Sequence, residues 1–269
     1  MRHKPYSVIR LALRYIAYYF RAGNGKGHGI HSPFVYAFIR EVMNDRKRYY
    51  SYEWVENLRA SLLREKTELE VTDLGAGSGK NSGATRTVAS ITRHAAKPAK
   101  LGRLLFRVVN YFQPAVMVEL GTSMGITAAY LASANLAARL YTIEGSPAIA
   151  AKAAHNLAKL QLTNATVIQG NFDEVLPELL GKIHPPDLVY IDGNHRYEAT
   201  LRYFHELLPT VQGHTILVFD DIHWSEEMEA AWNAIKLHPS VKCSIDIFFL
   251  GFIFFRPEFK VPQHFEIRF

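Results

Sequence analysis

A glycine-containing turn followed by an acid is the strongest chemical signal in this sequence. The segment VELGTSMGITAAYLA (118–132) has an apolar run, then Gly121 and Gly125, then a helical pattern, and the next apolar run ends at Glu144. Glycines let a backbone approach a ligand closely, and an acid at the end of the second strand can accept hydrogen bonds from ribose hydroxyls. The pattern predicts a mononucleotide-binding βαβ unit, and its GxxxG spacing disfavours a dinucleotide because a pyrophosphate is cradled by GxGxxG.

A second glycine-rich segment, TDLGAGSGK (72–80), lies earlier in the chain. It is followed by the polar residues KNSGATR, and no second strand ending in an acid comes about 20 residues later, as a nucleotide-binding turn requires. We interpret it as a glycine-rich surface loop or as a flap over the active site.

Short apolar runs alternate with helical patterns from residue 115 onward. The runs lie at 115–120, 139–144, 165–169, 187–192 and 215–220, and the helical patterns at about 125–137, 147–160, 172–181, 196–208 and 225–237. Such alternation predicts a parallel sheet with crossover helices. The segment 243–259 differs, because two β-rich runs meet at Gly251 without room for a crossover, which predicts an antiparallel hairpin at the sheet edge.

Positive charge is concentrated in the first fifth of the chain. Residues 1–50 hold ten Lys or Arg and two acids, a net charge of +8, whereas the whole chain has +6. This asymmetry indicates an anionic partner for the segment.

The same segment contains two predicted helices. Val8, Leu11, Tyr15 and Tyr19 recur at helical spacing, with Arg10, Arg14 and Arg21 on another face. This amphipathic helix is expected either to lie on an anionic membrane surface or to pack on the body of the protein or a second subunit. After a glycine-rich hinge (22–29), Ser32 and Pro33 predict a helix start, with its end near Asn44. A further helix is expected at about 52–65.

Composition excludes several classes of protein. Hydrophobic residues make up 48% and charged residues 21%, as in ordinary globular proteins. No run has the ~18 uncharged apolar residues of a membrane-spanning helix. The single cysteine, Cys243, excludes an intrachain disulfide and a multi-cysteine metal site, so a cytoplasmic location is expected.

The motifs VELGTSMG, YTIEG, DLVYIDG and ILVFDD together resemble class I S-adenosylmethionine-dependent methyltransferases, in particular the catechol O-methyltransferase-like branch. The resemblance covers about residues 100–256. It implies an α/β, Rossmann-like fold with a seven-stranded, mostly parallel sheet and an antiparallel terminal hairpin at 101–269, preceded by a helical N-terminal extension or cap at 1–100. The extension falls outside the common core and is similar to a bacterial group of these enzymes.

The resemblance also implies which residues bind S-adenosylmethionine (SAM). The methionine part would be held by the turn after the first core strand, the ribose by the acid after the second, and the adenine by the residues after the third. In this order the residues are Glu119, Gly121, Thr122, Ser123, Gly125; Glu144, Gly145; and Gly170, Asn171, Phe172, with Asp192 also on the cofactor side. Alternatively, Phe172 packs in the core and Glu144 is a surface acid.

A magnesium site is implied by three acids, Asp192, Asp220 and Asp221, which follow the fourth and fifth strands. Unpaired carboxylates in one cleft repel each other, and Mg²⁺, which prefers oxygen ligands, relieves that repulsion. Alternatively, Asp192 serves only the cofactor side and Asp221 caps a helix. His195 stands where the family has a lysine base, so Asp192 and His195 are the catalytic candidates. His223 is a weaker candidate for the base, and Trp224 is expected to pack.

The expected function is SAM-dependent, metal-assisted O-methylation of a small hydroxylated acceptor. Two alternatives stay open: a nucleotide-cofactor oxidoreductase, and a non-catalytic module whose basic N-terminal segment binds membrane or nucleic acid. No known nucleic-acid motif is present, so a nucleic-acid partner is not expected. A homodimer and a peripheral membrane contact through the N-terminal helix are the expected associations.

Overall fold

The structure is a computed structural model that describes residues 5–71 and 84–269. The glycine-rich segment 72–80 lies outside the described residues. Two compact units are formed, one by residues 5–44 with Pro185–Phe269 and the other by Asp45–His184. Neither unit begins or ends at residue 100, and the domain boundary predicted there stays a prediction.

Ten α-helices lie in the described part of the chain. They are α1 (Val8–Arg21), α2 (Pro33–Ala37), α3 (Tyr50–Leu62), α4 (Val88–Ala95), α5 (Ala99–Phe112), α6 (Ile126–Ala134), α7 (Pro147–Lys159), α8 (Phe172–Leu180), α9 (Tyr197–Leu207) and α10 (Glu226–Lys236). A π-helical turn, Phe38–Met43, continues α2. None of these helices is both long and apolar enough to cross a lipid bilayer.

Ten β-strands accompany the helices within residues 5–71 and 84–269. They are β1 (Glu68–Val71), β2 (Ala84–Thr87), β3 (Val116–Leu120), β4 (Arg139–Glu144), β5 (Ala165–Gln169), β6 (Leu188–Ile191), β7 (Ile216–Asp220), β8 (Cys243–Asp246), β9 (Leu250–Phe254) and β10 (Gln263–Glu266). The predicted alternation of strands and helices from residue 115 is confirmed, with each boundary shifted by no more than a few residues.

Eight of these strands, β3 to β10, make the mostly parallel sheet of the predicted fold class. In the unit of Asp45–His184, β4 pairs in parallel with β3 and β5. In the other unit the order is β10, β8, β9, β7, β6, and β9 is antiparallel to both β7 and β8. Strands β6 to β9 are buried along their whole length, so the core of this unit lies on them.

The C-terminal hairpin is confirmed, but two details differ from the prediction. Its turn is at residues 247–249, and Gly251 lies inside β9 rather than between the runs. The hairpin is also not the edge, because β10 pairs in parallel with β8 and adds an eighth strand to the predicted seven. The sequence QHFE of β10 is partly exposed and too polar to be recognised as a strand from its pattern.

A small antiparallel pair, β1 with β2, was not expected from the sequence. Both strands are four residues long and rich in polar side chains, so they lack the apolar run by which the core strands were recognised.

Helix α1 is amphipathic as predicted, and one of its faces packs on the protein. Ser7 caps it by accepting a hydrogen bond from the backbone N–H of Arg10. The packed face contains Tyr18, whose hydroxyl lies 2.7 Å from the carbonyl oxygens of both Asp246 and Ile267. Leu11 and Tyr15 pack beside Tyr18 as expected, whereas Val8 and Tyr19 are exposed.

Gly251 is required by its neighbour Trp232 on α10. A Cβ atom at residue 251 would lie 2.6 Å from two carbon atoms of the Trp232 ring, closer than packed atoms can approach. We expect Gly251→Ala to lower the free energy of unfolding by about 1–3 kcal/mol, as overpacking of a core does. Chemical denaturation measures this loss. Gly181→Ala is the control, since a Cβ there has 3.6 Å to its nearest neighbour and should change stability little.

Candidate functional site: a glycine turn and a carboxylate–histidine group

The turn between β3 and α6 has the left-handed backbone that its glycines allow. Gly121 has φ 102° and Gly125 has φ 78°, a region that residues with a Cβ rarely adopt. The N–H of Gly125 donates to the carbonyl of Thr122 at 2.9 Å and closes the turn. Ser123 is also left-handed, with φ 46°. The chain therefore reverses tightly at the carboxyl end of β3, and its backbone is open to close approach by a ligand.

Glu144, at the end of β4, is fixed against this turn. Its Oε2 accepts from the backbone N–H of Ser123 at 2.8 Å, and its Oε1 accepts from that of Ser146 at 3.0 Å. A carboxylate at the end of this strand suits the hydroxyls of a ribose. Its role there, like the alternative of a surface acid, stays a prediction.

Buried hydrogen bonds connect the turn to the strands β3 and β4. The Thr142 hydroxyl donates to Oε2 of the buried Glu119. Because a hydroxyl has one proton, Thr142 must then accept from Thr122, whose Oγ1 lies 2.5 Å away. The buried Asn156 of α7 also donates to the carbonyl of Met124 at 2.9 Å. Sequence reasoning missed Thr142 and Asn156, because isolated polar residues in a strand or helix carry no motif.

The residues predicted to meet the adenine follow β5. The Gly170 N–H donates to the Glu144 carbonyl at 2.9 Å, which holds the end of β5 beside that of β4. Asn171 caps α8 by accepting from the N–H of Asp173, and Phe172, the first residue of α8, is half-buried. Gly145 accepts from the Gln169 amide. These residues lie near Glu144 in this unit, and their contact with a cofactor stays a prediction.

In the other unit, Asp192, His195 and Asp220 come together at the carboxyl ends of the parallel strands β6 and β7. One ligand atom from each lies within 4.8 Å of the other two. Asp220 is fully buried, and Asp192 accepts from the Tyr190 hydroxyl at 3.1 Å. His195 Nε2 is 3.6 Å from Asp192 Oδ1, a separation that is too long for a hydrogen bond but that a metal ion bound to both atoms would allow. The Trp224 ring flanks that of His195 at 5.5 Å.

Asp221 is not a member of this group, which changes the predicted set of three carboxylates. It has φ 51°, and its N–H donates to the carbonyl of Phe249 at 2.8 Å. A left-handed residue ends the strand, so side chains no longer alternate as they do within β7. His195 takes the third place instead. Its position in a loop of irregular backbone, after the left-handed Asn194, could not be derived from the sequence.

His223 has a structural role in place of the catalytic role considered for it. Its Nε2 lies 2.8 Å from Asp246 and its Nδ1 lies 3.0 Å from Glu229. Burial alone would lower the pKa of His223, but the hydrogen bonds and negative charges of these two carboxylates outweigh burial and raise the pKa to about 9. An imidazolium that donates at both nitrogens has no lone pair with which to accept a proton, so it is unsuited as a base near neutral pH.

The pKa of His223 predicts how stability depends on pH. A folded-state pKa of about 9, against an ordinary 6.5, means that the protonated His223 stabilises the fold fully below pH 6.5. This contribution, on the order of 3 kcal/mol, is lost as the pH rises to about 9. We expect chemical denaturation at pH 6.5 and 9.5 to show a loss of this size. The loss should be absent in His223→Gln and retained in His214→Gln, whose imidazole is exposed; equal losses in both variants would contradict the assignment.

Together, the strand order, the glycine turn after β3 and the acid after β4 agree with the Rossmann-like fold of class I methyltransferases. Residues 118–222 match the family model of a methyltransferase domain. This match agrees with the resemblance found in the sequence. None of the curated proteins matches the chain at a significant level.

Solved structures of similar fold support the same assignment of fold. An O-methyltransferase from Bacillus cereus in complex with SAH has 18% sequence identity and a TM-score of 0.56, with 78% of this chain and 92% of the other covered. The O-methyltransferase TomG from Streptomyces achromogenes, in complex with SAM, has 17% sequence identity and a TM-score of 0.55, and the match covers 78% of this chain and 91% of TomG. An SAH-bound methyltransferase from Podospora anserina has 14% sequence identity and a TM-score of 0.58, and the match covers 94% of this chain and 98% of the other.

Proposed function

We propose that this protein transfers a methyl group from SAM to a hydroxyl group of a small acceptor. The observation that carries the proposal is the Glu144 carboxylate, held at both oxygens beside the 121–125 turn. An anchored carboxylate at the end of the second strand of a βαβ unit suits the vicinal diol of a ribose. The similar structures from Bacillus cereus and Streptomyces achromogenes contain SAH and SAM and are O-methyltransferases, which supports the same donor and acceptor atom here.

Different residues of the proposed donor site would bind different parts of SAM. Backbone N–H groups of the first turn of α6 would bind the methionine end beside the 121–125 turn, and Glu144 would bind the ribose. Gly170, Asn171 and Phe172 would surround the adenine. When bound, SAM supplies an electrophilic methyl group for in-line transfer, so the protein has mainly to align the acceptor oxygen.

The group of Asp192, His195 and Asp220 suits a divalent cation. It offers two carboxylate oxygens and one imidazole nitrogen that lie within 4.8 Å of one another. Mg²⁺ accepts a few protein oxygens and retains water, while an imidazole also favours Mn²⁺, Fe²⁺ or Zn²⁺. A bound cation would lower the pKa of an acceptor hydroxyl and stabilise the oxyanion. We therefore include metal assistance, by Mg²⁺ or a cation that tolerates nitrogen, in the proposal.

His195 would serve either as a metal ligand or as the base that accepts the hydroxyl proton. It cannot do both with Nε2, since the one lone pair on that nitrogen is used in either role. As a base it would accept the proton at Nε2, the nitrogen that lies 3.6 Å from Asp192 Oδ1. Loss of metal binding in His195→Ala indicates the ligand; retained metal binding with loss of the acidic limb of the pH–rate profile indicates the base.

Calorimetry with the purified protein tests the proposal against the nucleotide-cofactor oxidoreductase. We expect SAM to bind with measurable heat and to raise the melting temperature, and NAD to do neither at the same concentration. The GxxxG turn argues against NAD, because a pyrophosphate is held by GxGxxG. No heat and no thermal protection with saturating SAM would contradict the proposed function.

A further inference from the structure

Helix α1 has an apolar face that no described residue covers. Its inner face packs on Phe248, with ring centroids of Tyr15 and Tyr18 at 5.0 and 5.3 Å. On its outer face, the exposed fractions are 75% for Ile9, 62% for Leu13, 52% for Ile16 and 79% for Phe20. Large contiguous apolar patches are rare on the surface of soluble proteins and mark sites of interaction. The outer residues therefore require an explanation that packing within this chain does not give.

These four residues form a single stripe. Their numbers differ by four, three and four, so they follow one another along one side of the helix. At 1.5 Å per residue, the stripe is roughly 16 Å long. Arg10 lies three residues before Leu13 and borders the stripe. A continuous apolar stripe with cations at its border is the arrangement of helices that lie in the interface of a membrane.

The N-terminal segment that contains the stripe has charges of one sign. Residues 1–40 contain seven Lys or Arg and no Asp or Glu. Arg14 pairs with Glu229 and Arg21 with Glu266, so these two cations attach α1 to its own unit. Arg10 stacks on the Tyr6 ring at 4.2 Å and is exposed, as is Lys26 just after the helix. The exposed surface at both ends of α1 is thus cationic, which is complementary to an anionic surface.

We propose that the outer face of α1, defined by Ile9, Leu13, Ile16 and Phe20, binds the surface of an anionic lipid bilayer. The apolar side chains would enter the boundary between headgroups and acyl chains while the cations meet lipid phosphates. A second copy of the chain fits less well for two reasons. A two-fold contact would bring the same cations together, and four side chains are few against the 20–30 residues per side of a standard interface.

Vesicle flotation with the full chain tests this proposal without reference to enzymatic activity. We expect the protein to float with vesicles of phosphatidylglycerol and phosphatidylcholine in equal amounts. The binding should be at least about tenfold weaker with phosphatidylcholine alone and should weaken as salt rises. Leu13→Glu and Ile16→Glu should each lower the affinity tenfold or more. The matched control is Leu237→Glu, an equally exposed leucine at the end of α10, which should bind as the parent does.

Three results would overturn the proposal. The first is equal binding to both kinds of vesicle, and the second is equal binding by Leu13→Glu and Leu237→Glu. The third is a dimer in light scattering without lipid that Leu13→Glu converts to a monomer, because the occupant of the face would then be a second copy. Circular dichroism of each variant establishes whether the fold is retained. If Leu13→Glu does not fold, Ile16→Glu provides the same test.

Discussion

Replacement of Glu144 by Ala is expected to weaken SAM binding by about 100-fold or more. The substitution removes both oxygens proposed to accept the ribose hydroxyls and releases the Ser123 N–H that Oε2 holds. Hydrogen bonds to a charged group contribute ~1.5–3 kcal/mol each, and 1.4 kcal/mol corresponds to a factor of ten in affinity. Calorimetric titration with SAM measures the change.

The control for this variant is Glu174→Ala, an exposed acid on α8, which should bind SAM as the parent does. The isosteric variant Glu144→Gln separates binding from folding, because it retains one acceptor and the shape of the side chain. We expect it to bind SAM more weakly than the parent and to melt at nearly the same temperature. Parent-like SAM affinity in Glu144→Ala would remove the residue from the donor site.

Replacement of Asp220 by Asn is expected to abolish metal-stimulated turnover while SAM affinity stays within about twofold of the parent. Asp220 is buried beside Asp192 and His195, and an amide in its place contributes no negative charge to a cation. Loss of a partner outside the ligand set already costs 10–100-fold in metal affinity, so loss of a ligand should exceed ~100-fold. Calorimetric titration with Mn²⁺ and with Mg²⁺ measures this directly, without an acceptor.

Asp221→Asn is the matched control, because it changes the adjacent residue in the same way. Asn tolerates the left-handed backbone that Asp221 adopts, so this variant should fold. Since Asp221 lies outside the group, its substitution should leave metal affinity nearly unchanged. Strong loss in Asp221→Asn with little loss in Asp220→Asn would restore the ligand set first read from the sequence. Loss of SAM and metal binding together in Asp220→Asn would indicate a folding role.

The predicted elements of the core were accurate because their signals are local. The runs that became β3, β4 and β5 are apolar and flanked by turns, and the helices between them show helical periodicity. The turn at Gly121 and Gly125 was identifiable for a similar reason, since its left-handed backbone favours glycine. By contrast, β1, β2 and β10 are short and polar. They are strands because they pair with neighbouring strands, and no apolar pattern in their sequence indicates it.

The roles of the two histidines show where sequence reasoning ends. His195 and His223 both stand within three residues of a predicted acid, and the sequence favours His195 as the base only through its resemblance to the family. In the structure, His223 is bonded by Glu229 and by Asp246, which is 23 residues away, whereas His195 faces the carboxylates of Asp192 and Asp220. Partners distant in sequence thus decide which imidazole is a structural cation and which is available for chemistry.

The sequence by itself determined the strand–helix alternation, the glycine turn with its acid at the end of β4, and the acids at the ends of β6 and β7. These features follow from periodicity, backbone preference and position along a strand, all of which are local. Only the tertiary structure decided which face of α1 is buried and that His195, rather than Asp221, lies with Asp192 and Asp220. An amphipathic pattern shows that a face is apolar, but whether a neighbour covers it depends on side chains brought together from distant parts of the chain.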